Sequence, residues 1–171
     1  LNVDPLDPAA LYLGSQFVHR TRNNGETWEI ISPDLTTDEP EKQLYYQSGG
    51  LTLDTSGAET HTSILSISPS PLRSGLIWVS TDDGNVQLTD DDGATWTNVG
   101  ENIPDVPTGI WVPHIEPSHH DESVAYVVLE DHRRGDWTPY IYKTEDFGMT
   151  WKSLSDNNIQ SFVHVIREDP I

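Results

Sequence analysis

The sequence contains no cysteine, which excludes disulfides, thiolate nucleophiles and cysteine-based zinc sites from its chemistry. Positive charge is scarce: 9 Lys and Arg stand against 28 Asp and Glu, for a formal net charge of -19. Such a chain is repelled by phosphate backbones and anionic membrane surfaces, so nucleic acid is not an expected partner. No apolar run approaches the ~20 residues of a membrane helix, so no membrane insertion is expected. Helical spacing of apolar residues is nowhere sustained. No phosphate-binding glycine loop, nucleophile elbow or zincin motif occurs, and no cofactor or metal is expected. The one methionine is Met149 and no leader precedes Leu1, so the chain reads as a processed protein or a piece of a longer one. The acidity has two readings, a solvated, salt-adapted surface or a site for cations and cationic ligands.

What the chain does have is a repeat. The string TDDDGATW at Thr89–Trp96 has relatives in TRNNGETW at Thr21–Trp28 and TEDFGMTW at Thr144–Trp151. Each is preceded by short runs rich in Val, Ile, Tyr, Trp and Thr, with Gly, Pro, Asp and Asn between them, the pattern of strands joined by turns. Prolines at 5, 69, 117 and 170 mark the first strand of successive units, at a period of roughly 50–65 residues, as in four-stranded propeller blades. The expected fold is all-β, a β-propeller segment with three four-stranded antiparallel blades at about 1–36, 62–100 and 110–156. The first strand of a fourth follows at 161–171, and a long inter-blade insert spans about 33–62. Propellers typically have about 4–8 blades, so remaining blades or other copies are expected partners that complete the ring.

In this strand order the string is the turn between the third and fourth strands. Gly25, Gly93 and Gly148 take the positive φ of a tight turn, and Asn23, Asp91 and Asp146 accept hydrogen bonds from its backbone. Thr27, Thr95 and Thr150 open the fourth strand, and Trp28, Trp96 and Trp151 are expected to bury their rings between blades. The string resembles the Asp-box, or bacterial neuraminidase repeat, with pattern Ser/Thr-x-Asp-x-Gly-x-Thr-Trp. Thr21, Thr89 and Thr144 fill its first position, and only Asn23 departs from it. In Asp-box proteins the motif is a fold-stabilising turn away from the active centre, so the resemblance assigns these fifteen positions a structural role. Such proteins include sialidases, xyloglucan-degrading glycosidases and sortilin-type propellers. The runs YLGSQFVHRTRNNGETWEIISPDLT, TDDGNVQLT and PYIYKTEDFG look most like the bacterial sortilin-like group labelled glycosyl hydrolase. That likeness implies a secreted, periplasmic or cell-envelope location. Sialidases carry an arginine triad and an Arg-Ile-Pro motif that are absent, so sialidase activity is not expected.

Candidate chemistry therefore lies on the opposite face, where the second-to-third strand turns and the blade-to-blade connections meet. It collects Asp82 and Asp83, the run Glu130-Asp131-His132-Arg133-Arg134-Gly135-Asp136-Trp137, and the insert with Tyr45 and Tyr46. Two carboxylates flanking a sugar bond are the minimum for most glycoside hydrolysis, which makes Asp82, Asp83, Glu130, Asp131 and Asp136 candidates. For Asp82 and Asp83 the competing reading is a plain hairpin turn. His132, Arg133, Arg134, Trp137, Tyr45 and Tyr46 are candidate ligand contacts, and His114 is a candidate facing the channel. His119-His120-Asp121 falls in a turn on the Asp-box side and reads as structural. Two functions follow, a recognition scaffold for a glycan or peptide and part of a glycoside hydrolase.

Overall fold

The computed structural model describes residues 1–40, 61–156 and 158–171. They form three four-stranded antiparallel sheets, each a simple meander in which consecutive strands pair. The first contains β1 (Asn2–Val3), β2 (Leu11–Gly14), β3 (Val18–Thr21) and β4 (Glu29–Ile30). The second contains β5 (Ile64–Pro69), β6 (Ile77–Thr81), β7 (Val86–Thr89) and β8 (Thr97–Asn98). The third contains β9 (Trp111–Pro117), β10 (Ala125–Asp131), β11 (Asp136–Thr144) and β12 (Lys152–Ser153). Pro69 and Pro117 end edge strands, where a missing N–H removes no ladder bond. β6 is buried along its whole length, covered on both faces, which suits the consecutive apolar residues Ile77, Trp78 and Val79.

The core lies between sheets. Tyr12, Val18, Leu35, Ile67 and Val79 pack the first sheet against the second, and Trp78, Val99, Ile115, Val127 and Trp151 pack the second against the third. Trp78 and Trp151 meet edge to face at 6.2 Å, a favourable arrangement of their ring quadrupoles.

The eight-residue strings build one turn three times. Thr21, Thr89 and Thr144 Oγ1 donate to Asn23, Asp91 and Asp146 Oδ1 at 2.8, 2.9 and 2.8 Å. The same hydroxyls accept from the backbone N–H of Gly25, Gly93 and Gly148 at 3.0, 3.0 and 2.8 Å. The backbone N–H of Thr27, Thr95 and Thr150 closes the ring on Oδ1. In the two Asp copies the Thr95 and Thr150 hydroxyls donate to the second carboxylate oxygen at 2.6 Å. These bonds, led by those hydroxyls, hold both carboxyls below the ordinary range. In the Asn copy the direction reverses, with Asn23 Nδ2 donating to Thr27 Oγ1 at 2.9 Å. The substitution therefore keeps the ring. The residue before each glycine, Asn24, Asp92 and Phe147, also has positive φ, and its N–H ties the turn to Ala9, Gly75 and Ser123 O. A second repeated brace was hidden by changing chemistry: Asp4 Oδ1, Ser70 Oγ and Ser118 Oγ each accept two backbone N–H groups in the β1–β2, β5–β6 and β9–β10 turns. This brace aligns Pro5 with Pro71, so the prolines at 5 and 69 do not mark equivalent points.

Two expectations are corrected. Trp96 and Trp151 reach back to the preceding sheet, where Nε1 donates to Ile31 O at 3.0 Å and to Val99 O at 3.2 Å. Trp28 belongs to the first sheet, meets no preceding one, and is 42% exposed instead of buried. The strand expected at 161–171 is not formed: residues 162–171 join no ladder. An innermost strand pairs only with its own sheet's second strand, and the 171 residues supply none beyond it. Side chains hold this segment against the third sheet.

The seam contacts give a stability test. A Cβ on Gly148 would lie 2.7 Å from Val99 Cγ2, whereas one on Gly135 would meet nothing within 4 Å, and both residues have positive φ. Gly135→Ala is expected to cost about 1 kcal/mol for its backbone alone, and Gly148→Ala about 2–4 kcal/mol, because overpacking adds to that cost. Urea unfolding of the two variants measures the difference, and equal losses would contradict a tight seam.

Candidate functional site

The hairpin between β6 and β7 carries Asp82 and Asp83, both nearly fully buried. Thr81 Oγ1 donates to Asp83 Oδ1 at 2.5 Å, and Asp83 Oδ2 accepts from Thr37 N at 2.7 Å and Thr37 Oγ1 at 3.0 Å. Asp82 Oδ1 accepts from Ser63 N at 2.8 Å, and Asp82 N returns a bond to Ser63 O. Burial raises the Asp82 carboxyl above the usual range, partly offset by the Ser63 bond and by His61, whose Nδ1 lies 3.7 Å away. The two aspartates thus fasten Thr37 and Ser63, on either side of the insert. Tyr45 and Tyr46 lie outside the described residues. Asp83 also lines a cavity of about 340 Å³ with Asn85, Asn98, Glu101, Thr108 and Leu129, and Glu130 is not part of that lining.

The third sheet's loop sorts its charges into separate tasks. Asp131 Oδ1 accepts from Arg134 Nε at 2.6 Å, and Arg134 also donates to Thr108 O and Gly109 O, pinning the loop before β9. Asp136 accepts from Thr138 N and from Tyr140 Oη; bonds from Thr138 lead the causes that lower its carboxyl. Arg133 lies 3.2 Å from the centre of the Trp111 ring, a cation–π contact. Glu130 differs from these. It is 3% exposed, and its oxygens face two imidazoles, His164 Nδ1 at 3.1 Å and His132 Nδ1 at 3.6 Å. His132 stacks on Phe162 at 4.5 Å, and Trp137 lies 6.1 Å from His132 and 5.6 Å from Phe162. Trp137 is 57% exposed, so the trio is an aromatic platform above a buried carboxylate. Phe162 and His164 were not among the sequence candidates. Their alternation in FVHVIR, which puts 162 and 164 on one side of an extended chain, was the available signal.

A second polar site lies along the innermost strands. Asn2, Ser66, Ser68, His114, Glu116 and Arg167 line a cavity of about 270 Å³. Asn2 Nδ2 donates to Ile67 O at 2.8 Å and Ser68 Oγ to Ile115 O at 2.7 Å, stitching neighbouring inner strands. Glu116 occupies the equivalent register position in β9, where it accepts from Arg167, which also donates to His114 Nε2. Burial first, then the Arg167 charge, pushes the His114 imidazole down to about 4, so it is neutral at pH 7. Pro5, Pro71 and His119 are also in the lining; they belong to the first turn of each sheet, on the side of the eight-residue turns. His119, His120 and Asp121 sit in such a turn, where Ser118 Oγ accepts from His120 N and Asp121 N. Among the described residues no group of three or more His, Cys, Asp or Glu is arranged to hold a metal ion, and no helix is long and apolar enough to cross a membrane.

No family model and no curated protein matches the chain. Solved structures are similar to it. An ancestral GH74 enzyme is 13% identical, with a TM-score of 0.60 over 93% of this chain and 18% of that one. The GH74 xyloglucanase from Xanthomonas campestris is 19% identical, with a TM-score of 0.58 over 90% of this chain and 21% of its own. YCF48 bound to D1 peptide is 19% identical, with a TM-score of 0.53 over 91% of this chain and 40% of its own. The chain therefore spans between 18% and 40% of the length of these three chains. At these identities the likeness establishes the fold: three four-stranded antiparallel sheets of a β-propeller.

Proposed function

We propose that the chain is an Asp-box segment of a larger, exported β-propeller protein of the sortilin-like kind, acting as a recognition scaffold. Its ligand is a glycan or peptide, bound on the loop face opposite the Asp-boxes. The observation that carries this reading is the Trp137–His132–Phe162 platform, because an exposed indole braced by two further rings offers rigid stacking surface at low entropic cost. Replacing Trp137 by Ala is expected to weaken binding of the full-length protein's glycan or peptide ligands at least tenfold with the fold intact. Titration calorimetry over glycan and peptide panels measures it, and unchanged affinity for every ligand sinks the reading.

The similarity to GH74 enzymes favours a second reading, part of a glycoside hydrolase. Here Glu130 is the strongest candidate acid, since Asp83, Asp131 and Asp136 spend their oxygens on Thr37, Arg134, Thr138 and Tyr140. On this reading Glu130→Gln in the full-length protein lowers polysaccharide turnover by about 100-fold or more, while Asp131→Asn has little effect. Undiminished turnover in Glu130→Gln removes the segment from the chemistry.

The ring's remaining blades, or other copies, are the proposed partners. Leu154 N donates to Ile141 O as Val99 N does to Val86 O and Ile31 N to Val18 O, yet Val99 is buried and Leu154 is 39% exposed. Trp28 and Leu154 are thus the two unmatched halves of the inter-sheet seam. The isolated chain is expected to associate, and Trp28→Asp or Leu154→Asp to weaken association. Analytical ultracentrifugation checks this, and a well-folded monomeric wild type contradicts it.

A further inference from the structure

The cavity of about 340 Å³ to which Asp83 contributes lies on the loop face, between the β6–β7 hairpin and the connection that leads from the second sheet into the third. Its lining divides in two. Ile103, Val106, Ile110 and Leu129 form an apolar part, while Asp83, Glu101, Asn85 and Asn98 supply polar groups. Among the described residues no Lys, Arg or His lines it. The amides are already engaged through their N–H groups, Asn85 Nδ2 donating to Leu35 O at 2.9 Å and Asn98 Nδ2 to Asn85 Oδ1 at 3.0 Å. Asn98 Oδ1 accepts from Gly100 N at 3.0 Å. Each amide oxygen keeps a lone pair, so the cavity is rich in acceptors.

Neither carboxylate is balanced by a cation. Asp83, nearly fully buried, is held by neutral donors alone: Thr81 Oγ1, Thr37 N and Thr37 Oγ1. Those bonds occupy its oxygens for acid–base purposes but leave its charge in place. The adjacent Asp82 is buried too, and after burial itself Asp83 is a cause that raises the Asp82 carboxyl. Glu101 is exposed and makes no ion pair or side-chain hydrogen bond among the described residues. A buried carboxylate without a cation is costly, and a cationic ligand would relieve that cost.

We propose that this cavity binds an ammonium or guanidinium group carried on an aliphatic stem, as in the lysine or arginine side chain of a peptide. The stem lies on Ile103, Val106, Ile110 and Leu129, and the charged head meets Asp83, Glu101 and the amide oxygens. That division matches side chains with an apolar body and a polar tip. A head with several N–H donors and no acceptor fits an acceptor-rich lining, whereas a neutral sugar cancels none of its charge. At about 340 Å³ the cavity is at the small end of ligand pockets, a size for one side chain. The proposal rests on the recognition reading above and adds the ligand's charge to it, through residues other than Trp137.

The test is calorimetric titration of the full-length protein with an end-blocked Gly-Lys-Gly tripeptide, its arginine and norleucine counterparts, cadaverine and a neutral glucose oligomer. The lysine and arginine peptides are expected to bind, and the norleucine peptide, which keeps the stem without the charge, to bind about tenfold more weakly. Glu101→Gln weakens the lysine peptide about threefold, and Asp83→Asn weakens it further. Glu26→Gln removes the same charge from an exposed position in the first sheet's eight-residue turn and leaves affinity unchanged, which separates the cavity from attraction to the acidic chain as a whole. Circular dichroism shows whether Asp83→Asn is folded; if it is not, Glu101→Lys replaces it and abolishes binding. A tripeptide tighter than cadaverine assigns the group to a peptide, the reverse to a free amine, and both support the cavity's chemistry. Equal binding of the norleucine peptide, equal losses in Glu101→Gln and Glu26→Gln, binding of the glucose oligomer alone, or no binding at all overturns the proposal. Trp137→Ala leaves the lysine peptide's affinity in place, so failure of the aromatic platform and failure of the cavity are read separately; loss of that affinity overturns the cavity assignment.

Discussion

The architecture depends on how closely one glycine lets each sheet approach the sheet before it. The Gly93 Cα hydrogen side faces Ile31, and Gly148 faces Val99, at distances where a methyl group would overlap the neighbour. That approach brings the Trp96 and Trp151 N–H onto the carbonyl of the same neighbour, and the apolar faces then pack against each other. The Thr–Asx ring holds the glycine's conformation from within its own chain, so local hydrogen bonding and inter-sheet packing meet in one turn. Fixing the seam in turn fixes where the innermost strands fall.

Much of this was legible in the sequence, and the exceptions have physical causes. Threefold recurrence of the string gave away the turn, and strand-length apolar runs gave away the sheets. Trp28 misled because burial of the ring is a property of two sheets, whereas the motif is written in one. The strained backbone at Phe147 was missed because left-handed residues are normally sought among Gly, Asn and Asp. The Asp4, Ser70 and Ser118 brace escaped because a carboxylate and a hydroxyl can do the same task, so identity varies where geometry does not. At the candidate site, composition found Glu130, His132 and Trp137 but not Phe162 and His164, which reach the same spot from about 30 residues away through the tertiary fold.

The few cations of this acidic chain are spent at joints. Arg20 and Arg22 both reach Asp92 across the seam between the first and second sheets. Arg73 pairs with Asp90 and approaches Glu122 of the third sheet. Arg134 ties the third sheet to the loop before it, and Arg167 ties the closing segment to β9. Positive charge thus acts where two acidic elements would otherwise repel. The pairs exposed on both sides, Arg22–Asp92 and Arg73–Asp90, contribute only modestly each at ordinary salt.

The Asn23 turn bears on that acidity. Its amide closes the same ring as Asp91 and Asp146 by exchanging donor for acceptor. A unit of charge can therefore be removed from or returned to this rim while the backbone stays where it is. Fold and surface potential are adjustable separately at these positions, and the chain's strong negative charge is a property that its environment could set blade by blade without any cost in architecture.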